Sequence, residues 1–264
     1  MHEAAAEALG WTGFYQLVEI AGADATLLRK LLDGVRHLGF AGVNITYPYK
    51  ETIIPLLDDL SKSSRMIGAV NTVVVSDGRL IGHNTDAGGF GHAVADLLAA
   101  SSGPVAVIGA GGVGKAAAVA MAQAGAKGLR IFDLDRRKAA ALAETVASLT
   151  DSMVAETVAE AVTGASGLVN GTPVGMLPSR DSPVDPALLH ADLWVADAVY
   201  YPLWTPLLSE ARRVGARVLN GRALAIYQAA AAFELFTGVK PSVDVMASAF
   251  DAVLERRKEM STAA

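Results

Sequence analysis

The run Gly109-Ala110-Gly111-Gly112-Val113-Gly114, placed directly after the apolar Val105–Ile108, most narrows what this 264-residue chain can fold into. A G-x-G-x-x-G between a strand-like run and an Ala-rich helical stretch belongs at a βα turn. Its glycines permit a tight turn and close approach of a pyrophosphate, while the helix start supplies N–H groups and a partial positive charge. A glycine turn with no ligand is the simpler alternative. Against it stands Asp133, which follows the next apolar run, 24 residues after Gly109. An acid at about 20 residues' separation accepts hydrogen bonds from the adenosine ribose. It also repels a 2′-phosphate, by about 4 kcal/mol at 4 Å and an effective dielectric near 20, against about 1.4 kcal/mol for tenfold discrimination. Arg136, Arg137 and Lys138 close by could still reach a phosphate. The reading is NAD, with NADP the less favoured cofactor.

Around this turn, short apolar runs alternate with helical sequence. Strands are predicted at Val105–Ile108, Leu129–Phe132, 167–169, 193–196 and Arg217–Leu219, with helices at 114–123 and from about 136. Such alternation implies a parallel, doubly wound sheet. The first hundred residues read differently: helices at 3–9, 25–38 and 50–60 around β-like runs at 15–19, 42–46 and 71–75. Residues 242–258 read as an amphipathic helix, and Ser101-Ser102-Gly103-Pro104 as a domain boundary. The expected fold is two-domain α/β. Residues 1–100 form an N-terminal α/β domain for substrate binding and catalysis, with helix 241–258 packing back on it. Residues 101–240 form a Rossmann-like, doubly wound dinucleotide-binding domain.

Composition excludes several function classes. With 52% hydrophobic and 19% charged residues the chain can bury a core. A net charge of -5 with scattered Lys and Arg gives no support to nucleic-acid binding. No cysteine is present, so disulfides, thiolate catalysis and Cys-ligated metal are excluded, and the five histidines show no ligand spacing. The apolar stretch 223–236 is broken by Gln228 and Glu234, and the start lacks a basic n-region. Neither a membrane span nor a signal peptide is expected, so the default is a cytoplasmic protein. A homodimer is left open.

Three polar segments of the first domain adjoin apolar strands: Asn44-Ile45-Thr46-Tyr47-Pro48-Tyr49-Lys50, Gly68-Ala69-Val70-Asn71-Thr72 and Gly82-His83-Asn84-Thr85-Asp86. Taken singly, each is compatible with turn and cap chemistry, Lys50 with a solvated helix start and Asp86 with a helix N-cap. With Asn170-Gly171-Thr172-Pro173-Val174-Gly175-Met176, Asp197-Ala198-Val199-Tyr200-Tyr201-Pro202 and the Gly221-to-Gln228 spacing, the linked set resembles the shikimate dehydrogenase family over essentially the whole chain. The resemblance implies that Lys50 and Asp86 are the catalytic pair. It implies that Thr46, Asn71, Tyr200 and Gln228 contact the hydroxyls and carboxylate of a hydroxylated cyclohexane or cyclohexene ring. It further implies that the segment containing Thr172, with Val199 and Gly221, borders the nicotinamide, and that Gly109, Gly111, Gly112, Val113 and Gly114 with Asp133 hold the rest of the cofactor. Hydride addition to a carbonyl leaves an alkoxide that needs a proton, and an ammonium such as Lys50 can supply it. Asp86 would hold that amine and favour its charged form. His83 reads as a supporting or surface residue, not a base.

The sequence departs from the family pattern in two places. Members that prefer NADP usually carry an Asn-Arg-Thr-like triplet where this chain has Asp133-Leu134-Asp135, which resembles the NAD-dependent quinate/shikimate dehydrogenases. Members also open with a strand and a Ser-x-Ser or Ser-x-Thr segment ahead of Met-His-Asn/Glu, whereas this sequence starts at Met1-His2-Glu3. The expectation is either a native chain longer at its start or a real truncation with weak or altered substrate binding. The alternatives are a dehydrogenase for another ring, such as an aminoshikimate-type substrate or a folate-linked one, and a non-catalytic nucleotide-binding homologue. Retention of both Lys50 and Asp86 speaks against the last.

Overall fold

The computed structural model describes residues 1–20 and 22–262, with side chains as far as Arg257. Among these residues the strands form two sheets, one of four strands and one of six.

The first lobe runs α1 (His2–Ala8), α2 (Ala25–His37), β1 (Gly42–Asn44), a 3-10 turn at Ile54–Leu56, β2 (Asp59–Leu60), α3 (Lys62–Ile67), β3 (Thr72–Ser76), β4 (Arg79–His83) and α4 (Asp86–Ala99). Its sheet has the order β1-β3-β4-β2, with β2 parallel to β4 and the other pairs antiparallel. Asp77 and Gly78 both have positive φ, the two-residue hairpin geometry whose twist matches that of the flanking strands. Asp24 caps α2 by accepting from the Leu27 N–H at 2.8 Å. The helix then buries Leu28 and Leu32 against Ile53, Leu56, Val70, Val73 and Leu80.

Two expected elements of this lobe do not form. The helix at 50–60 is replaced by turns, the 3-10 turn and β2. Pro55 has no N–H and disfavours α geometry in the residue before it. The strand at 15–19 is absent, because a strand needs a neighbour's backbone groups and none runs beside these residues. β1 is the edge of its sheet, and a groove of about 420 Å³ lined by His2, Trp11, Phe14, Tyr15, Phe40 and Phe236, among others, lies beside it.

The second lobe continues with β5 (Val105–Ile108), α5 (Gly112–Gln123), β6 (Leu129–Phe132), α6 (Arg136–Val146), β7 (Ser152–Val154), α7 (Val158–Val162), β8 (Gly167–Asn170), β9 (Trp194–Asp197), α8 (Pro206–Arg213), β10 (Arg217–Leu219), α9 (Arg222–Thr237) and α10 (Val243–Thr262). All pairings are parallel, in the order β10-β9-β8-β5-β6-β7. All strands point the same way, but the order of strands switches between β5 and β8, with later strands added on the other side of β5. Open α/β sheets bind ligands outside the strand ends at such a crevice. The central strands β5, β8 and β9 are buried along their whole length, as helices on both faces require. The fold is the expected two-lobed α/β with a Rossmann-like sheet. α4 packs on both α5 and α9, which ties the lobes together, and α10 packs on α1 and α9. Among the described residues no helix is long and apolar enough to cross a membrane.

Candidate active site

Lys50 lies in the turns after β1, and Asp86 is the first residue of α4. The fold brings them together across 36 residues: Lys50 Nζ donates to Asp86 Oδ2 at 2.6 Å, with side chains 15% and 7% exposed. Asn71, just before β3, donates from Nδ2 to Asp86 Oδ1 at 2.8 Å and to the Thr85 hydroxyl at 2.9 Å. Its Oδ1 accepts from the Thr85 N–H at 2.8 Å. Each carboxylate oxygen of Asp86 thus has its own donor, which a nearly buried charge needs. Asn84 fixes the start of α4, its Oδ1 accepting from the Ala87 N–H and its Nδ2 donating to the Ala69 carbonyl. Asn44 donates to the Thr72 hydroxyl at 3.0 Å and accepts from the Tyr15 hydroxyl at 2.9 Å. Burial, with the nearby Tyr200 phenol adding to it, pushes the Tyr15 hydroxyl above its ordinary value. Asn44, Asn84 and Thr85 were not singled out from sequence. The only available signal was their place inside the three polar segments.

Across from this cluster lies the glycine turn. Gly109 has φ +97, and a β-carbon on Gly114 would sit 1.9 Å from the Gly109 carbonyl oxygen, so only glycine closes this turn. Among the described residues the N–H groups of Gly112, Val113 and Gly114 find no acceptor at the start of α5. Gly111 has nothing within 4 Å of where its β-carbon would be. An open cradle of unpaired N–H groups on a 12-residue helix fits a pyrophosphate. Asp133 closes the far side, its Oδ2 accepting from the Ala110 N–H at 2.7 Å and its Oδ1 from the Asp135 N–H at 2.8 Å.

Of the remaining expected residues, Thr172, Val199 and Tyr200 follow the C-terminal ends of β8 and β9, Gly221 follows β10, Gln228 is on α9 and Thr46 follows β1. Thr172 is held by Asn170, whose Oδ1 accepts from its N–H at 3.0 Å and its hydroxyl at 2.7 Å. Val199 is buried, and Gly221 lies against its carbonyl. Gln228 packs its backbone on Gly89, one turn along α4 from Asp86, and its side chain donates to the Ala225 carbonyl at 2.9 Å. Thr46 and Tyr200 are exposed, and among the described residues neither hydroxyl bonds to the Lys50–Asp86 pair. His83 is half-buried, and burial lowers its imidazole below the ordinary value. Sequence reasoning missed Asp197, at the end of β9. It is 2% exposed, and burial pushes its carboxyl up to about 6, against the hydrogen bonds from Thr205, Val199 and Asn170.

A doubly wound sheet with an open phosphate cradle at its switch point, facing an amine–carboxylate pair on a second lobe, defines a nicotinamide-dinucleotide-dependent oxidoreductase. Known proteins narrow the class. Residues 1–73 match the family model for the shikimate dehydrogenase substrate binding domain, and residues 225–249 that for the shikimate 5′-dehydrogenase C-terminal domain. The quinate/shikimate dehydrogenase (NAD(+)) of Corynebacterium efficiens is 42% identical over 95% of this chain and 91% of its own. The shikimate dehydrogenase (NADP(+)) of Pseudarthrobacter chlorophenolicus is 43% identical over 95% and 88%. The structure of quinate dehydrogenase from Corynebacterium glutamicum in complex with NAD superposes with a TM-score of 0.83 at 39% identity, covering 95% of this chain and 92% of that one. The chain belongs to the shikimate dehydrogenase family, as an oxidoreductase of the shikimate/quinate dehydrogenase kind.

Proposed function

We propose that the protein transfers hydride between NAD and the ring of quinate or shikimate, with Lys50 and Asp86 as its catalytic pair. The observation that carries this reading is the 2.6 Å contact between Lys50 Nζ and Asp86 Oδ2, beside the turn that cradles the dinucleotide. The dinucleotide supplies or takes up the hydride. Lys50, as the ammonium, protonates the alkoxide oxygen that reduction leaves on the ring. In the oxidative direction its neutral amine removes the alcohol proton. Asp86 anchors the amine, and Asn71 anchors Asp86. Thr46, Asn71, Tyr200 and Gln228 hold the ring's hydroxyl and carboxylate groups, and Thr172, Val199 and Gly221 border the nicotinamide. In this division residues 1–100 with helix 241–258 present the substrate, and residues 101–240 hold the cofactor.

Preference for NAD rests on Asp133 at the ribose position. Arg137 pairs with Asp135 at 3.0 Å and Arg136 with Glu156, but both pairs are exposed and weak, so the Asp133 carboxylate carries the preference rather than these pairs. The test is NADH formation at alkaline pH with quinate and with shikimate separately, repeated with NADP and with Lys50→Ala. Turnover with NAD that disappears in the variant is expected. Equal or better turnover with NADP would overturn the cofactor assignment, and no turnover on either ring would overturn the substrate.

A further inference from the structure

Among the described residues, Asp197 is the one nearly buried carboxylate with no cation against it. Its Oδ1 accepts from Asn170 Nδ2 at 2.9 Å and from the Val199 N–H at 3.0 Å, and its Oδ2 accepts from the Thr205 hydroxyl at 2.6 Å. No charged group among the described residues acts on it, and burial alone drives its carboxyl upward. A charge kept in such a place is costly, so its geometry calls for a reason. Asn170 passes the constraint on: Nδ2 also donates to the Val174 carbonyl at 3.1 Å, and Oδ1 holds Thr172. The Thr172 methyl in turn lies against Gly109, and the Val199 carbonyl against Gly221. One carboxylate thus fixes the ends of β8 and β9, the cap of α8 and the wall of the glycine turn.

We propose that Asp197 is a positioning residue: it locks the 170–174 turn and Val199 into one arrangement at the nicotinamide end of the cofactor site without touching the ring. The proposal rests on the reading that Thr172, Val199 and Gly221 border the nicotinamide. A carboxylate suits the task because it accepts from all three donors, whereas an alanine would strand them, at a cost large enough to move the turn.

The test compares wild type with Asp197→Ala and Asp197→Asn in three measurements: ligand-free Tm, titration with ADP-ribose and with NADH, and the pH profile of kcat. Asp197→Ala is expected to bind ADP-ribose within about twofold of wild type. Its NADH binding weakens about tenfold or more, bound-NADH emission moves toward that of the free coenzyme, and kcat falls about tenfold or more. Asp197→Asn, nearly the same shape, is expected to restore most of the NADH binding and, with no carboxyl to protonate, to lose less kcat on acidification than wild type, in which burial pushes the Asp197 carboxyl up to about 6. Unchanged NADH binding in the alanine variant overturns the proposal. So does equal loss of ADP-ribose and NADH binding with a fallen Tm and no rescue by asparagine, which would mark a packing residue. Should wild type oxidise neither quinate nor shikimate, the substrate reading fails, and the NADH and ADP-ribose titrations still decide the role of Asp197.

Discussion

The side chain of Lys50 lies along Gly112: a β-carbon built on that glycine would meet both Cβ and Cδ of Lys50 at 3.3 Å. The first residue of α5 therefore also lies against the aliphatic stem of the lysine on the other lobe. Gly112→Ala keeps helical backbone geometry but crowds Lys50, so kcat should fall several-fold while Tm stays within a few degrees. Gly112→Val, which cannot be accommodated by a small shift, should lower kcat further. Steady-state kinetics with a thermal melt checks both, and undiminished turnover in the valine variant would show that Lys50 is not held there.

Lys50→Ala and Asp86→Asn should each reduce kcat by about 10²- to 10⁴-fold, the usual worth of a positioned proton donor. Dinucleotide affinity should change little, because neither residue lies in the phosphate cradle. Asn71→Ala removes one donor to Asp86 and two partners of Thr85, and should cost about tenfold. Kinetics together with NADH titration separates these effects.

Asp133 accepts from the Ala110 and Asp135 N–H groups, beside its proposed role as ribose acceptor. Asp133→Ala should raise KM for NAD about tenfold and loosen the glycine turn. Asp133→Asn keeps an acceptor oxygen while removing the charge, so it should lose less with NAD and gain with NADP. The ratio of kcat/KM for the two cofactors is the measurement.

His2 stacks on Tyr15 at 4.3 Å, and burial, then the nearby terminal amine, lowers its imidazole from 6.5 to about 4. The neutral ring is the form the fold accepts. Its contribution to stability is complete above pH 6.5 and is lost as the pH falls through about 4. His2→Phe should therefore gain Tm relative to wild type on acidification, on the order of 5 °C between pH 7 and pH 4. Parallel melting curves across that range would count against it.

Much of this was legible in the linear sequence, because the signals are local. The run Val105–Ile108, the glycines behind it and Asp133 predict a strand, a phosphate turn and a ribose acid through spacing alone. The alternation beyond them predicts a parallel sheet. The segments around Lys50, Asn71 and Asp86 mark the family, and their roles come from that resemblance. What failed was also informative. Residues 15–19 have strand-like composition, but a strand exists only when another chain segment offers its backbone, and nothing in five residues says whether one will. Residues 50–60 read as helical until Pro55 is weighed.

The sequence by itself thus determined the class of fold and the glycine turn that opens α5, since hydrophobic periodicity and glycine geometry act over a few residues. Only the tertiary structure decided that Lys50 reaches Asp86, that Gly112 lies against the Lys50 stem, and that Asp197 gathers three donors without a cation. Those relations join segments far apart in the chain, and they are fixed by packing and desolvation, which depend on every element that closes around them.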